Sequence, residues 1–325
     1  MHPQPSRNNL ALVTLLGLIW GLNWPIVKFA ILEYGPWTTR ALSLSGAALV
    51  LVAASLWRGQ SLRISPRDWW RVLVPAIFGM ALVNILNAWA QMVMETGRAA
   101  IIAFSMPVWA TAMAVFFLGE RLDARKSLSL ALGAAGLLAL AWPALAAGGL
   151  SAGLALALGS AMSWACGAVF MKRFPINAPP LIAATWQIGA AAAILTLGML
   201  AFEGATIPFH GLTNGFLGLA YNIVAAQAIG TWIWFGVLTR SPASVAAIGT
   251  LMTPGVGVIG AMLMLGETPA LTDWLGLALV VSASAIVLLR RAPAGHPAPV
   301  TKTPPPPCPA SCGDGQLLAP APTAR

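Results

Sequence analysis

The sequence predicts an all-α integral membrane protein whose ten transmembrane helices form two inverted five-helix repeats. Three observations support this fold class. The chain of 325 residues is 58% hydrophobic and only 8% charged, whereas a soluble domain carries roughly 25% charged residues. Apolar runs long enough to cross a bilayer follow one another along most of the chain. Finally, short patterns of the first half recur in the second half.

The apolar runs are about 17–25 residues long, which spans roughly 30 Å of hydrocarbon in a helix. Turn-forming Pro and Gly and charged residues separate them. The run from Leu10 to Ile31 is too long for a signal peptide and lacks a cleavage site, so we interpret it as a retained first span. The predicted spans cover about residues 10–31, 37–57, 70–93, 98–118, 127–143, 152–172, 180–201, 213–237, 244–264 and 272–289.

Basic residues are distributed unevenly between the two sides that ten spans create. With the N-terminus inside, only Lys28, Arg40 and Arg98 of the 18 Lys and Arg residues fall on the outer side. This bias predicts a multi-pass protein of the inner (cytoplasmic) membrane with both termini in the cytoplasm. The net charge of +9 does not indicate nucleic-acid binding, because the basic residues lie in short loops between apolar runs.

A duplication divides the chain into two halves. The segment Trp20–Lys28 is similar to the segment Trp164–Lys172. In both, the lysine lies eight residues after the tryptophan. Farther along, the pattern Ala-Ala-Ile, then Pro, then Gly-Glu begins at Ala99 and again, 147 positions later, at Ala246. Five spans is an odd number, so the second half must enter the membrane inverted relative to the first.

This organisation predicts four regions. An N-terminal cytoplasmic tail at 1–9 precedes the first five-helix repeat at 10–147, and the second, inverted repeat covers 148–291. Residues 292–325 are rich in Pro and Ala and cannot form a core, so we expect a disordered cytoplasmic tail.

Three motifs stand out along the chain: Trp20-Gly21 through Asn23-Trp24-Pro25 to Lys28, Pro107 to Gly119-Glu120, and Pro254 to Gly266-Glu267. Together they resemble the EamA-like families of the drug/metabolite transporter superfamily. The resemblance covers about residues 8–291. It implies a ten-helix transporter, commonly an exporter of amino acids or other small metabolites. The aromatic amino-acid exporters are one branch of the family to which the chain could belong. The second half departs from the motif, because Gly167-Ala168-Val169 stands where the first half has Asn23-Trp24-Pro25.

Three prolines lie within spans. Pro25, Pro107 and Pro254 each remove a backbone donor, which predicts a kink and an unbonded carbonyl. Such points can bend during gating, or they can be static kinks that help packing.

Polar amides are concentrated in the third and eighth spans. Asn84, Asn87 and Gln91 share one helical face because they are three and four residues apart. The eighth span carries Tyr221-Asn222 and Gln227. Because an unpaired amide facing lipid is costly, we expect these side chains to face inward, either lining a substrate cavity or forming hydrogen bonds between helices.

Of the fourteen tryptophans, six fall near span ends, as in an aromatic belt: Trp37, Trp57, Trp69, Trp70, Trp142 and Trp274. Trp20, Trp109 and Trp164 fall near the middle of spans, and Trp24 lies between these positions and the ends. An indole there needs a partner for its N–H and offers a flat face to a planar or apolar substrate. These four tryptophans are candidates for the transport pathway, and core packing is the alternative.

Charged residues inside the spans are scarce. Lys28 lies at the outer end of the first span and could bind a substrate carboxylate, pair with an acid or extend to the interface. Either Glu95, toward the outer end of the third span, titrates at the outer mouth, or transport is facilitated diffusion or exchange. We expect Glu120 and Glu267, each beside a turn, to anchor helix ends or loops.

Taken as a set, these residues favour a carrier that moves small organic solutes by alternating access, and the resemblance implies that this carrier is an exporter. The tryptophans and amides, with little fixed charge, fit aromatic or other hydrophobic amino acids, and efflux of amphipathic drugs is the alternative. An integral-membrane enzyme is a remoter alternative, because the spans contain no nucleophile–base pair. The sequence indicates no catalytic residues, cofactor or metal. Its predicted partners are the lipid bilayer and a small-molecule substrate, with monomer or homodimer left open.

Overall fold

The apolar runs form helices along nearly the whole chain in the computed structural model, which describes residues 7–146, 148–149, 151–207, 210–231, 233 and 243–289. The predicted tail at 292–325 lies outside these residues. The helices, in chain order, are α1 (Arg7–Tyr34), α2 (Pro36–Trp57), α3 (Trp69–Pro75), α4 (Val83–Val93), α5 (Thr96–Ala103), α6 (Met106–Leu118), α7 (Ala124–Ala146), α8 (Ala152–Arg173), α9 (Pro180–Phe202), α10 (Asn214–Tyr221), α11 (Ala243–Leu265) and α12 (Leu271–Leu288). Two π-helical segments, π1 (Ala76–Leu82) and π2 (Asn222–Ile229), continue α3 and α10.

The helix lengths agree with ten membrane spans. Eight described stretches are long and apolar enough to cross a membrane, and α11 adds a shorter apolar stretch at Gly249–Leu265. The elements α10 and π2 occupy the predicted eighth span, whose last residues lie partly outside the described part of the chain. Every regular element of the described residues is helical, which confirms the predicted all-α fold class.

The predicted fourth span is interrupted rather than kinked. Helix α5 ends at Ala103, and α6 begins at Met106. Pro107 therefore lies in the first turn of α6, where its missing N–H leaves no helical bond unmade. Its repeat partner Pro254 lies inside the continuous helix α11.

The π-helical segments were not predicted, and they occur at matching places in the two halves. Ala76 begins π1 and Asn222 begins π2, so the starts are 146 positions apart (222 − 76). A π-helical turn shifts the backbone bonds and leaves carbonyls available to other donors. The Ser163 hydroxyl of α8 donates to the Phe78 carbonyl of π1 (2.6 Å), and the Trp20 indole of α1 donates to the Ala226 carbonyl of π2 (3.0 Å). Each π segment is thus bonded to the opposite half.

Helices at matching places in the two halves run antiparallel to one another. Between α2 and α9, the backbone N–H of Trp37 donates to Glu203 at one end, and Ser55 and Thr185 share a hydrogen bond at the other. Between α7 and α12, Gly136 lies against Val280 and Gly276 lies against Leu140. This antiparallel pairing is the arrangement that inverted repeats require.

Small residues bring α1 and α11 close along their length. A Cβ added at Gly17 would lie 2.8 Å from the Gly249 carbonyl oxygen, and one added at Gly260 would lie 3.0 Å from Pro25. From the first contact to the second, the residue number rises along both helices, so α1 and α11 run parallel. Close approach of this kind is how small residues stabilise helix pairs in membranes.

Candidate functional site

An asparagine pair joins the two halves in the interior of the bundle. Asn23 of α1 accepts a hydrogen bond from the Nδ2 group of Asn222, the first residue of π2, at 2.7 Å. Asn222 is fully buried, and its Oδ1 atom has no hydrogen-bond partner in the described structure. This amide therefore presents an available acceptor between the halves.

Two other predicted site residues hold the same pair of helices together. The Tyr221 hydroxyl donates to the Ile19 carbonyl at 3.0 Å, and the Trp20 indole N–H donates to the Ala226 carbonyl at 3.0 Å. Both polar groups thus form hydrogen bonds between α1 and the α10–π2 element. For Tyr221, hydrogen bonding between helices was one of the two predicted roles.

The amides of α4 face inward. Ala88, on the same helical face, packs against Val27 and Ile31 of α1. Gln91 is fully buried and donates to the Asn87 carbonyl at 3.4 Å. The side-chain oxygens of Asn87 and Gln91 are buried and have no partner within the described residues.

Asn84 differs from its two neighbours on this face. Its amide donates to the Met80 carbonyl of its own helix at 2.9 Å. This bond is local, and it satisfies a carbonyl at the end of π1. Asn84 and Asn222 also hold different positions relative to their π segments, because one follows π1 and the other begins π2.

The mid-span tryptophans are distributed over several helices. The Nε1 atom of Trp109, on α6, is buried and has no partner in the described structure. Trp24 of α1 contacts Phe104 at the break between α5 and α6, with ring centroids 6.4 Å apart. Trp164 on α8 and Gln227 in π2 are half-buried, and no described contact joins them to the amides.

The predicted gating prolines lie at packed positions. Pro25 is buried on α1 against Gly260, and Pro254 lies on α11, whose Val256 packs against Gly21. Both prolines therefore belong to the same helix pair, α1 and α11.

Charged groups bind one another at the predicted outer ends of the helices. Glu267 accepts hydrogen bonds from the backbone N–H groups of Thr96 (2.6 Å) and Gly97 (2.8 Å), the first residues of α5. Its charge also acts on the half-buried Lys28. The prediction that Glu267 anchors a helix end is confirmed.

A second charged contact lies beside it. Arg98 binds Asp273 at 2.6 Å from Nε and 3.0 Å from Nη2. Glu95 is exposed at the start of α5. Lost hydration raises the pKa of its carboxyl, the charge of Arg98 opposes the rise, and Asp273 and Glu267 add to it.

Two further carboxylates cap helix starts in the same way, and the sequence analysis did not identify them. Glu203 accepts from the N–H groups of Trp37 (3.0 Å) and Thr38 (2.7 Å) at the start of α2. Glu33 accepts from the Thr213 hydroxyl at 2.6 Å, next to the start of α10. Each of the two is an acidic residue at the end of a span, on the side of the membrane that has few basic residues. This position could have identified them as helix caps, because the start of a helix attracts negative charge.

At the opposite end of the bundle, Glu120 binds two lysines. It pairs with Lys126 at 2.8 Å and also with Lys172 of α8. Hydrogen bonds from Lys126 and Lys172 lower the pKa of the Glu120 carboxyl to about 2. The prediction that Glu120 anchors a loop is confirmed, and the lysine that ends the second tryptophan motif is one of its partners.

The chemistry available in the interior is hydrogen bonding. Four predicted site residues hold buried atoms without partners in the described structure: the acceptors Asn87 Oδ1, Gln91 Oε1 and Asn222 Oδ1, and the donor Trp109 Nε1. Buried polar groups are nearly always paired in proteins, and each exception calls for an explanation.

Comparison with known proteins agrees with this architecture. The model of the EamA-like transporter family matches residues 9–142 and 151–289. The uncharacterized transporter YvbV of Bacillus subtilis is 27% identical over 88% of this chain and 93% of its own. A probable amino-acid metabolite efflux pump of Salmonella typhimurium is 27% identical over 81% of this chain and 89% of its own. A solved crystal structure with 24% identity shares the fold, with a TM-score of 0.58 over 86% of this chain and 97% of that one.

Proposed function

Because the chain belongs to the EamA-like transporter family, we propose that it exports aromatic or other hydrophobic amino acids by alternating access. The protein is a multi-pass membrane transporter. We place it in the cytoplasmic membrane, with both termini in the cytoplasm, because of the uneven distribution of its basic residues. A similar protein named as a probable amino-acid metabolite efflux pump supports the choice of substrate class.

The buried acceptors carry this proposal. Asn87 and Gln91 on α4 and Asn222 in π2 each present a side-chain oxygen without a partner in the described structure. The ammonium group of an amino acid would supply donors for such oxygens. The aromatic rings of Trp24 and Trp109 supply apolar surface for the side chain of the substrate.

The proposed mechanism uses the two contacts between the halves. Helix α1 packs against π2, and α8 packs against π1, where Gly167 and Gly79 approach most closely. If the halves are inverted repeats, rocking would open these contacts in turn on opposite sides of the membrane. Pro25 and Pro254, both on the α1–α11 pair, and the break before Pro107 are the points at which we expect bending.

Coupling to an ion is not required by the residues of the spans. The one carboxylate proposed as a proton site, Glu95, lies at an exposed helix start. We therefore favour facilitated diffusion or exchange, and proton coupling through Glu95 is the outcome that would revise this choice.

Flux into liposomes tests the substrate class. Purified protein is reconstituted and supplied with labelled Trp, Phe, Leu, Glu and a cationic dye, with and without a pH gradient. Saturable flux of Trp or Phe without the gradient is expected. Movement of the dye alone would favour drug efflux, and flux that requires the gradient would indicate a proton site.

A variant pair tests the amide face. We expect Asn87→Leu to reduce flux at least tenfold, because it removes an oxygen that we assign to the substrate. Asn84→Leu is the matched control on the same helix, since the Asn84 amide already bonds the Met80 carbonyl. Equal flux in the two variants, at equal thermal stability, would show that the amides only join helices.

A further inference from the structure

We propose that Arg40 binds the carboxylate group of the transported molecule, in a site on the inner face of α2. The substrate class, an amino acid, rests on the function proposed above. The binding of a carboxylate rests on the surroundings of Arg40 alone.

Arg40 is a buried cation without a described counterion. It is 6% exposed, and its Nε atom is buried and has no hydrogen-bond partner. The neighbouring Thr39 is fully buried, and its hydroxyl also has no partner. An unpaired buried charge is strongly unfavourable, so a group that supplies the missing negative charge is expected there.

The other basic residues on the predicted outer side have acidic neighbours. Arg98 is the one of the three with a described ion pair, to Asp273, and the charge of Glu267 acts on Lys28. For Arg40, the described residues provide neither an ion pair nor an acidic neighbour.

The acidic residues of the chain are used elsewhere. Of the nine, only Asp314 lies outside the described residues, which leaves eight. Among these, Glu95 is exposed at the start of α5. The other seven bind helix starts, loop backbone or other cations: Glu33, Asp68, Glu120, Asp123, Glu203, Glu267 and Asp273. None of these eight carboxylates has a described hydrogen bond or ion pair with Arg40, so a bound ligand would supply its negative charge.

The helical position of Arg40 directs it toward the bundle interior. Leu44 packs in a cluster with residues of α9 and α4, and Leu42 packs beside α10. Leu49, on another face, is 70% exposed and marks the lipid side. Leu44 and Ala47, four and seven residues after Arg40, lie on the same helical face as Arg40, and both are buried.

Helix α2 lies next to the elements that carry the buried acceptors. Helix α2 contacts both α4, which holds Asn87 and Gln91, and π2, which holds Asn222. A cation on one side and amide oxygens on the other would suit the two charged groups of an amino acid. A guanidinium matches the two oxygens of a carboxylate, and one cation suits a single negative charge better than a phosphate.

Ligand-induced thermal stabilisation of the purified full-length protein tests the proposal without requiring transport. The probes are L-phenylalanine against L-phenylalaninamide, and 3-phenylpropionate against 3-phenylpropionamide. In the wild type, we expect each carboxylate to bind at least tenfold more tightly than its amide. Arg40→Gln should abolish this preference by weakening only the carboxylates.

Two further variants separate binding from folding. Arg40→Lys keeps the positive charge but not the planar guanidinium group, so we expect its preference for carboxylates over amides to be only a few fold. This variant tests the proposal even if Arg40→Gln does not fold. Arg98→Gln is the matched control, because Arg98 already binds Asp273, and it should keep the full preference.

The outcomes distinguish this proposal from the proposed function. No carboxylate preference in the wild type, or an unchanged preference in Arg40→Gln and Arg40→Lys, would overturn the role of Arg40. A preference for 3-phenylpropionate that depends on Arg40, together with no flux of amino acids in liposomes, would support Arg40 and reject the amino-acid substrate.

Discussion

Matching positions in the two halves meet the opposite half in different ways. Asn23, three residues after the first motif tryptophan, accepts a hydrogen bond from Asn222 of π2. Gly167, three residues after the second motif tryptophan, lies against π1 with no side chain between the backbones. A Cβ added there would lie 2.7 Å from the Cα atom of Gly79.

The Gly-Glu turns show the same divergence. Gly119 and Gly266 both take positive φ, 65° and 70°, and the following glutamate N–H bonds a helical carbonyl in each, Ala114 or Ala261. The backbone of the turn is therefore nearly identical. The side chain of Glu267 binds two backbone N–H groups of α5, whereas the side chain of Glu120 binds two lysines.

The two repeats therefore share the backbone structure of these segments, whereas the contacts of their side chains differ. The polar pair belongs to the contact between α1 and π2, and the closest backbone approach belongs to the contact between α8 and π1. A substrate site formed by the amides would then be asymmetric, although the fold that surrounds it is repeated.

The largest expected effect comes from filling the closest approach. Gly167→Val places atoms where the backbone of Gly79 already lies, and a rigid backbone cannot move aside locally. We expect a loss of about 3 kcal/mol or more in the free energy of unfolding. Thermal unfolding in detergent, followed by size-exclusion chromatography, measures it.

Gly159→Ala on the same helix is the control for this prediction. A Cβ there would lie 3.5 Å from Leu86, an ordinary contact, so stability should stay within about 0.5 kcal/mol of the wild type. Equal losses in both variants would mean that the approach to π1 is not the limiting contact of α8.

Much of this fold could be predicted from the sequence, because the bilayer restricts the alternatives. Spans must be apolar, about 20 residues long and helical, so their number and order follow from hydropathy. Helical spacing predicted that Asn87 and Gln91 face inward. The structure agrees, since Ala88 on the same face packs against α1.

The π segments and the partners of the charged groups could not be predicted. A π-helical turn depends on bonds to the opposite half, as at Phe78 and Ala226, and a single sequence does not show which helices meet. For the same reason, the sequence places both Arg40 and Arg98 on the outer side and does not distinguish between them. Their difference appears once Asp273 is found beside Arg98.

The second prediction compares the two glutamates directly. Glu267→Ala leaves the N–H groups of Thr96 and Gly97 without acceptors at a buried helix start, and we expect a loss of about 2–3 kcal/mol. Glu120→Ala should cost about 1 kcal/mol or less, since its lysine partners can be hydrated. Thermal unfolding of the two variants measures both losses. A larger loss of stability in Glu120→Ala than in Glu267→Ala would contradict the different roles assigned to the two glutamates.

The third prediction concerns the asparagine pair, which has no counterpart at Gly167. A double-mutant cycle with Asn23→Ala and Asn222→Ala should give a coupling energy of about 1 kcal/mol, in the range of hydrogen bonds between membrane helices. Unfolding in mixed detergent measures each variant. A cycle between Asn84→Ala and Asn222→Ala is the control, because Asn84 bonds its own helix, and its coupling should be near zero.

The smallest expected effect is the pH dependence that Glu120 contributes. Its pKa of about 2 lies below the value near 4.3 of an unfolded glutamate, so its stabilising effect is complete above pH 4.3 and is lost as the pH falls toward 2. Glu120→Gln cannot titrate, and because the contact is partly exposed, it should cost at most about 1 kcal/mol at pH 7. Thermal unfolding should therefore show a constant difference between the two proteins from pH 7 to about pH 4.3 and a smaller difference at pH 3. Lys126→Gln removes one of the two partners and should show part of the same convergence, whereas a difference that stays constant with pH would mean that Glu120 acts through packing and not through its charge.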